Sequence, residues 1–157
     1  MRLSLPLAAA CAAILSLSAC GGGDDGRPAF VVSSPAALTT VDTVPGTGLE
    51  ATPGSRVQVS YTGWLYDASA ADFKGAQFDA SGAGKSFTFV VGAVNTSESA
   101  IAGFSQGVQG MKAGGKRTIL IPSSLAYGAQ GIPGLIPANS GLVFDVELVK
   151  VCGSAAC

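Results

Sequence analysis

The sequence predicts an α+β domain, an antiparallel sheet of about five strands covering one short helix, and three observations carry that reading. Most of the chain beyond residue 37 alternates apolar and polar residues with period two, the mark of half-buried strands. One segment breaks that rhythm with an apolar stripe at helical spacing. Gly-Pro punctuation at Pro45-Gly46, Pro53-Gly54 and Pro133-Gly134 marks turns between the periodic stretches.

Taken in order, Val57, Val59 and Tyr61 alternate with Gln58, Ser60 and Thr62 in the first clear strand. Phe87, Phe89 and Val91 share one face of the next. The helical stripe follows, Ile101, Phe104 and Val108 at i, i+3 and i+7, with Thr96 or Ser97 available as N-cap and Gly110 as a stop. Lys116 to Pro122 gives another short strand. In the last one Leu142, Phe144, Val146 and Leu148 alternate with Val143, Asp145, Glu147 and Val149.

The 157 residues leave room for one domain and a tail. Nine basic and ten acidic side chains, with no long run of either sign, argue against a nucleic-acid partner, because neutralising phosphates needs a clustered basic face. There is no histidine. Ser-His-Asp and Cys-His nucleophile systems are excluded, as is any zinc site built on imidazole, and no metal or cofactor is assigned.

The first residues read as a targeting segment. Arg2 supplies a positive start, and Leu3 to Ser18 is apolar or small apart from Pro6, shorter than the roughly 20 residues of a membrane-spanning helix. Leu17-Ser18-Ala19-Cys20 resembles a bacterial lipobox. An ordinary secretory signal is the alternative, though Leu17 fits poorly three residues before its cleavage point. The expected organisation is a signal peptide over 1–19, lipidated Cys20 with a flexible tether over 20–36, a domain over 37–151 and a tail over 152–157. Gly21-Gly22-Gly23-Asp24-Asp25-Gly26 cannot bury apolar surface and suits a tether. Phe30-Val31-Val32 reads either as a docking strand or as linker. Cleavage also removes Cys11, leaving Cys152 and Cys157 as the thiols not taken by lipid. In an oxidising compartment they would form an intramolecular disulfide, with free thiols or an intermolecular link as the alternatives.

Along its length the domain resembles the FKBP-type peptidyl-prolyl isomerases. The resemblance runs from about Leu38 to Val151 and is carried by Val59-Ser60-Tyr61-Thr62-Gly63, Phe78-Asp79-Ala80-Ser81, Phe87-Thr88-Phe89, Gly107-Val108-Gln109-Gly110-Met111-Lys112-Ala113-Gly114 and Ile121-Pro122. Leu125-Ala126-Tyr127-Gly128, Gly131-Ile132-Pro133-Gly134-Leu135-Ile136-Pro137 and Leu142-Val143-Phe144-Asp145-Val146-Glu147-Leu148 complete it in the family's order. It implies a bent five-stranded sheet wrapped around the helix with a substrate cleft between them. By the same resemblance Tyr61, Phe78, Phe87, Ala100, Ile101, Ile136 and Phe144 are pocket walls and Phe104 the floor. Asp79 is the one carboxylate facing the cleft. The Tyr127 hydroxyl and the Ile101 backbone N–H are donors to substrate, and Ile132 is an apolar flap tip. Asp79, Tyr127 and Phe144 stand as the catalytic candidates, while Phe89 reads as core. The better-known members carry tryptophan where this chain has Phe104 and a branched aliphatic where it has Ala100, and the loops Tyr66 to Ala76 and Ala93 to Ser99 are longer here.

The implied activity is cis–trans isomerisation of X-Pro bonds in unfolded or partly folded envelope proteins, with macrolides as candidate inhibitors and the membrane reached through the lipid. Gly21 after the lipid cysteine, rather than an aspartate, points to the periplasmic face of the outer membrane. The alternative keeps the fold without the catalysis: a lipoprotein that binds exposed apolar or proline-containing segments as a holdase or adhesin.

Overall fold

A seven-residue helix is marginal on its own, because nucleation is costly and half its backbone groups lie at an end, so its stability must come from the sheet it packs on. The computed structural model describes residues 32–153 and 157. The expected signal peptide, Cys20 and the glycine tether lie outside the described residues. Among the described residues there are six strands: β1 (Thr39–Val44), β2 (Arg56–Tyr66), β3 (Lys74–Ala80), β4 (Phe87–Val90), β5 (Lys116–Ile121) and β6 (Leu142–Gly153). Helix α1 (Ala102–Val108) lies between β4 and β5, and a 3₁₀ turn (Ser123–Leu125) follows β5. The sheet runs β1-β5-β6-β2-β3 with β4 also on β2, and every pairing is antiparallel.

The period-two reading places the central strands correctly. Val57, Val59, Phe89, Leu142 and Leu148 are fully buried, while Gln58, Ser60 and Val149 lie on the other side of their strands. Val143 departs from the pattern: it points away from the core yet is fully buried, opposite Trp64 in the β2–β6 register. The pattern missed β1, whose residues are exposed along its whole length, and β3, whose burial does not alternate and part of which falls in the expected loop Tyr66 to Ala76. Val32 is the one described residue of the Phe30-Val31-Val32 stretch; it is exposed and in no strand. Ser33 and Ser34 do reach the domain. The Ser33 carbonyl accepts from Gly141 N–H at 2.9 Å, its hydroxyl donates to Tyr66 O at 2.9 Å, and Ser34 Oγ accepts from Ser123 N–H at 2.9 Å.

The helix starts later than its expected caps. Ile101 is the N-cap, and no side chain caps it. Thr96 instead closes the preceding turn, accepting Ser99 N–H at 3.1 Å and the Ser99 hydroxyl at 2.7 Å on its carbonyl. At the far end Gly110 adopts φ +80°, a left-handed conformation that stops a helix, and its N–H donates to Ala51 O at 2.9 Å. Two glycines set the helix against β5. A Cβ at Gly107 would meet the Ile119 side chain, and one at Gly103 would collide with Ile121 and lie 3.1 Å from the Leu125 carbonyl. Among the described residues no helix is long and apolar enough to cross a membrane. Cys152 and Cys157 form a disulfide with their Cα atoms 5.3 Å apart.

Gly103→Ala and Gly107→Ala are expected to destabilise the domain by about 1–3 kcal/mol each through overpacking, despite alanine's better helix propensity. Gly103→Ala is the costlier, since a backbone carbonyl stands in the way. Urea melts check this, and variants as stable as the parent would show that the helix can slide away from β5.

Candidate functional site

Inward-facing positions of β2, β4 and β6 converge over the start of α1, and their side chains are aromatic. The result is a cleft of about 200 Å³, several times the roughly 30 Å³ share of one water. Tyr61 comes from the middle of β2, Phe78 and Asp79 from the end of β3, Phe87 from the start of β4 and Phe144 from β6. Ala100 and Ile101 line it just before the helix, Phe104 from within it, and Tyr127 from beyond the 3₁₀ turn. The fold thus brings nine expected residues, far apart in sequence, into one site.

The rings pack edge to face, the arrangement their quadrupoles favour. Phe104 is at the centre: Phe144 stands 5.0 Å away at 79°, Phe89 5.6 Å at 62°, Tyr61 5.7 Å at 73° and Phe87 6.5 Å at 69°. At 3 % exposure Phe104 is both the floor of the cleft and part of the core. Phe89 touches the cage from below, fully buried and off the cleft wall. Gly63 makes room for the rings, because a Cβ there would sit 2.7 Å from Phe144 and 2.9 Å from Phe78. A glycine inside a strand pattern is the sequence signal of such close approach.

One polar arm enters this apolar site. The Tyr61 hydroxyl donates to Asp79 Oδ2 at 2.7 Å, and Asp79 Oδ1 accepts the Ala80 N–H at 2.8 Å. Burial drives the Tyr61 phenol far above its ordinary value, with the bond to Asp79 and that carboxylate's charge adding to it. Tyr127 is shifted the same way, by burial first and then by Asp79. Both phenols are neutral at physiological pH, and the hydroxyl proton of Tyr61 is already engaged in its hydrogen bond to Asp79. The Tyr127 hydroxyl makes no hydrogen bond among the described residues and remains free for a ligand.

Ile132 and Ile136 do not line this cleft directly but belong to the core that backs it. Their backbones bond reciprocally, Ile132 N–H to Ile136 O at 2.7 Å and Ile136 N–H to Ile132 O at 2.8 Å, which closes a tight loop. Beside that turn Ile136 packs in the core at 2 % exposure, and Ile132 is half-buried against it. Ser99 lines the cleft and was missed, since a small polar residue in a loop has no periodic signal. The long loop bearing it is tied down: Glu98 forms a two-pronged ion pair with Arg56, Val90 N–H donates to Glu98 O at 2.9 Å, and Gly92 N–H donates to Ser105 Oγ at 2.7 Å.

A larger groove of about 580 Å³ runs over polar positions of the sheet, including Ser60, Thr62 and Thr118. Its cations are already neutralised, Lys74 by Asp145 at 2.7 Å and Lys116 by Glu147 at 3.2 Å. The smaller aromatic cleft is the better candidate for chemistry. Among the described residues no cluster of three or more potential ligands could hold a metal.

Residues 48–149 match the family described as FKBP-type peptidyl-prolyl cis-trans isomerase. The chain is 46% identical over 110 residues to the yeast peptidyl-prolyl cis-trans isomerase FPR2, covering 68% of this chain and 73% of that protein. It is 42% identical over 117 residues to an FK506-binding protein of Neisseria meningitidis serogroup B, covering 73% and 95%. A crystal structure of a peptidyl-prolyl cis-trans isomerase from Pseudomonas syringae superposes with a TM-score of 0.58 at 33% identity, over 76% of this chain and 80% of that one.

The raised phenols predict a pH dependence. A folded state that holds tyrosine protons more tightly than the unfolded chain loses stability as pH rises past the ordinary tyrosine value of about 10. Ultraviolet titration should show Tyr61 ionising late, and Asp79→Asn should bring that step to lower pH by removing the acceptor charge. A Tyr61 step unmoved by Asp79→Asn would contradict the pairing.

Proposed function

The chain belongs to the FKBP-type peptidyl-prolyl cis-trans isomerases, and we propose that its cleft catalyses X-Pro rotation in envelope proteins by gripping the prolyl ring and drying the amide. The barrier to rotation, about 18–20 kcal/mol, is amide resonance, so no covalent bond has to form. Bringing a step of tens to hundreds of seconds down to milliseconds requires about 5–7 kcal/mol of transition-state stabilisation. A twisted amide has lost resonance and carries less charge on its oxygen than the planar one. Removing water therefore disfavours the planar ground state more than the twisted one. The observation that carries this reading is the convergence of Tyr61, Phe78, Phe87, Phe104 and Phe144 on one open cleft.

In this mechanism Phe104 and Phe144 hold the proline, while the Tyr127 hydroxyl and the Ile101 N–H bind substrate carbonyls. The Tyr61–Asp79 pair keeps a carboxylate at the edge of the dry region without a proton having to move. The relatives named for FK506 binding support a further expectation, that a macrolide competes for this cleft. The non-catalytic alternative draws on Val94, apolar and 71% exposed on the loop that bears Ser99, which suits capture of unfolded segments.

A proline-limited refolding assay with the full chain separates the two. Catalysis raises the rate of the slow phase, whereas a holdase alters only the yield. Asp79→Ala and Phe144→Ala should lower kcat/KM strongly, and Tyr127→Phe less, by the about 0.5–1.5 kcal/mol of one neutral hydrogen bond. Truncating a packed aromatic costs about 3–5 kcal/mol, partly as stability, so thermal midpoints are recorded alongside the rates. Phe104→Trp should raise activity if the cleft admits the larger ring. A folded parent chain no faster than buffer would sink the catalytic reading and leave the binding one.

The address is part of the proposal. The Leu17-Ser18-Ala19-Cys20 box supports diacylglyceryl attachment at Cys20 and loss of residues 1–19, and two or more acyl chains hold a protein stably on a membrane where one does not. The tether and Gly21 fit the periplasmic face of the outer membrane. Cys20→Ser should release the protein into the soluble fraction; retention of that variant in carbonate-washed membranes would contradict lipid anchoring.

A further inference from the structure

Helix α1 carries the floor of the cleft but few of its own stabilisers. It has no side-chain N-cap, no acidic residue in its first turn and no basic residue in its last. Its C-terminal carbonyls, where a cation is favoured, are met by a side chain from another element. Arg117 Nη1 on β5 donates to Gly107 O at 2.9 Å and Gln109 O at 3.1 Å. The rest of the fork is held from β1: Nε donates to Asp42 Oδ1 at 2.6 Å and Nη2 to Asp42 Oδ2 at 3.0 Å. The Arg117 side chain is 12% exposed and Asp42 54%, so the bond to Gly107 O is the shielded one while the ion pair with Asp42 faces water. The Arg117 bond also holds the Asp42 carboxyl below the usual range.

Strand β1 contributes no buried side chain, so its apolar burial does not explain its place in the fold. What it does supply is Asp42. Arg117 also precedes Ile119 and Ile121, the residues that meet Gly107 and Gly103, so one strand grips both the flank and the end of α1. Gly107 lies less than one turn beyond Phe104, and a shift of the helix end is therefore passed to the ring.

We infer that Arg117, oriented by Asp42, is a positioning residue for the cleft: it fixes the C-terminal end of α1 and hence the depth at which Phe104 lies beneath the prolyl ring. The inference rests on the reading of the cleft as the isomerase site. Small misplacements of groups that fit a transition state lower rates steeply, even when the altered residue is remote from the chemistry.

The test compares the full chain with Asp42→Asn, Arg117→Lys and the swapped pair D42R/R117D, reading kcat/KM on an X-Pro peptide and the thermal midpoint. Asp42→Asn and Arg117→Lys should each lower kcat/KM, by about threefold to tenfold. The swapped pair restores the ion pair between β1 and β5 and should recover most of the thermal midpoint. A carboxylate at position 117 cannot donate to the carbonyls of Gly107 and Gln109, so kcat/KM should remain about tenfold or more below the parent. Recovery of kcat/KM together with the midpoint would reduce the clamp to a strand-to-strand tie and overturn the inference. Parent-like kcat/KM in both Asp42→Asn and Arg117→Lys would overturn it whatever the swapped pair does. A parent chain without activity would overturn the catalytic reading and this inference with it.

Discussion

The contact between α1 and β5 at Gly103 and Gly107 is the constraint on which the rest of the molecule depends. Side chains at those two positions would push the helix away from Ile119 and Ile121 and lift Phe104 from the rings that surround it. With the helix flat against the strand, Phe104 lies 5.0–6.5 Å from four other aromatic rings, and its exposed edge becomes the floor of an open cleft. The short helix gains what seven residues cannot provide, and the sheet gains a concave side that is covered rather than wet. Core and site are thus built from the same contacts.

That economy suits a reaction limited by resonance rather than by proton transfer. A chain without histidine has no ready proton shuttle near neutral pH. This cleft holds its two phenols neutral and its carboxylate hydrogen-bonded, so its donors and acceptors stay fixed while an amide rotates. In the proposed mechanism shape and dryness do the work. Phe104 supplies the floor of the cleft and Ala100 one of its walls.

The legible parts of the fold were those with one buried face. β2, β4 and β6 alternate because their inward residues are core, and the Ile101, Phe104, Val108 stripe marks α1. β1 and β3 were invisible because an edge strand exposed along its length, or one whose pairing is broken by register shifts, has no alternation to show. The N-cap was misplaced because Thr96 and Ser99 satisfy one another in a local turn, a choice that sequence spacing alone does not distinguish from a cap. For the site, periodicity pointed inward at Tyr61, Phe87, Phe104 and Phe144, but Asp79 and Tyr127 came only through the family's motifs, since a residue at a strand end or after a 3₁₀ turn has no periodic signature. Ile136, expected as a wall, packs in the core cluster at 2% exposure beside a turn closed by reciprocal bonds with Ile132. Ser99 and Arg117 emerge only once distant segments are brought together, whereas Gly63 carries the signal of a glycine inside a strand pattern.

Exchange NMR on an X-Pro peptide with a substoichiometric amount of the full chain tests the aromatic-cleft mechanism most directly. Uncatalysed rotation takes tens to hundreds of seconds, so cis-to-trans cross-peaks at sub-second mixing times would come from the protein alone. Catalysis in this cleft predicts such cross-peaks, together with prolyl ring protons displaced by the ring currents of Phe104 and Phe144. Cross-peaks that are absent while the prolyl protons still shift would show a cleft that binds proline without turning it, and would contradict catalysis.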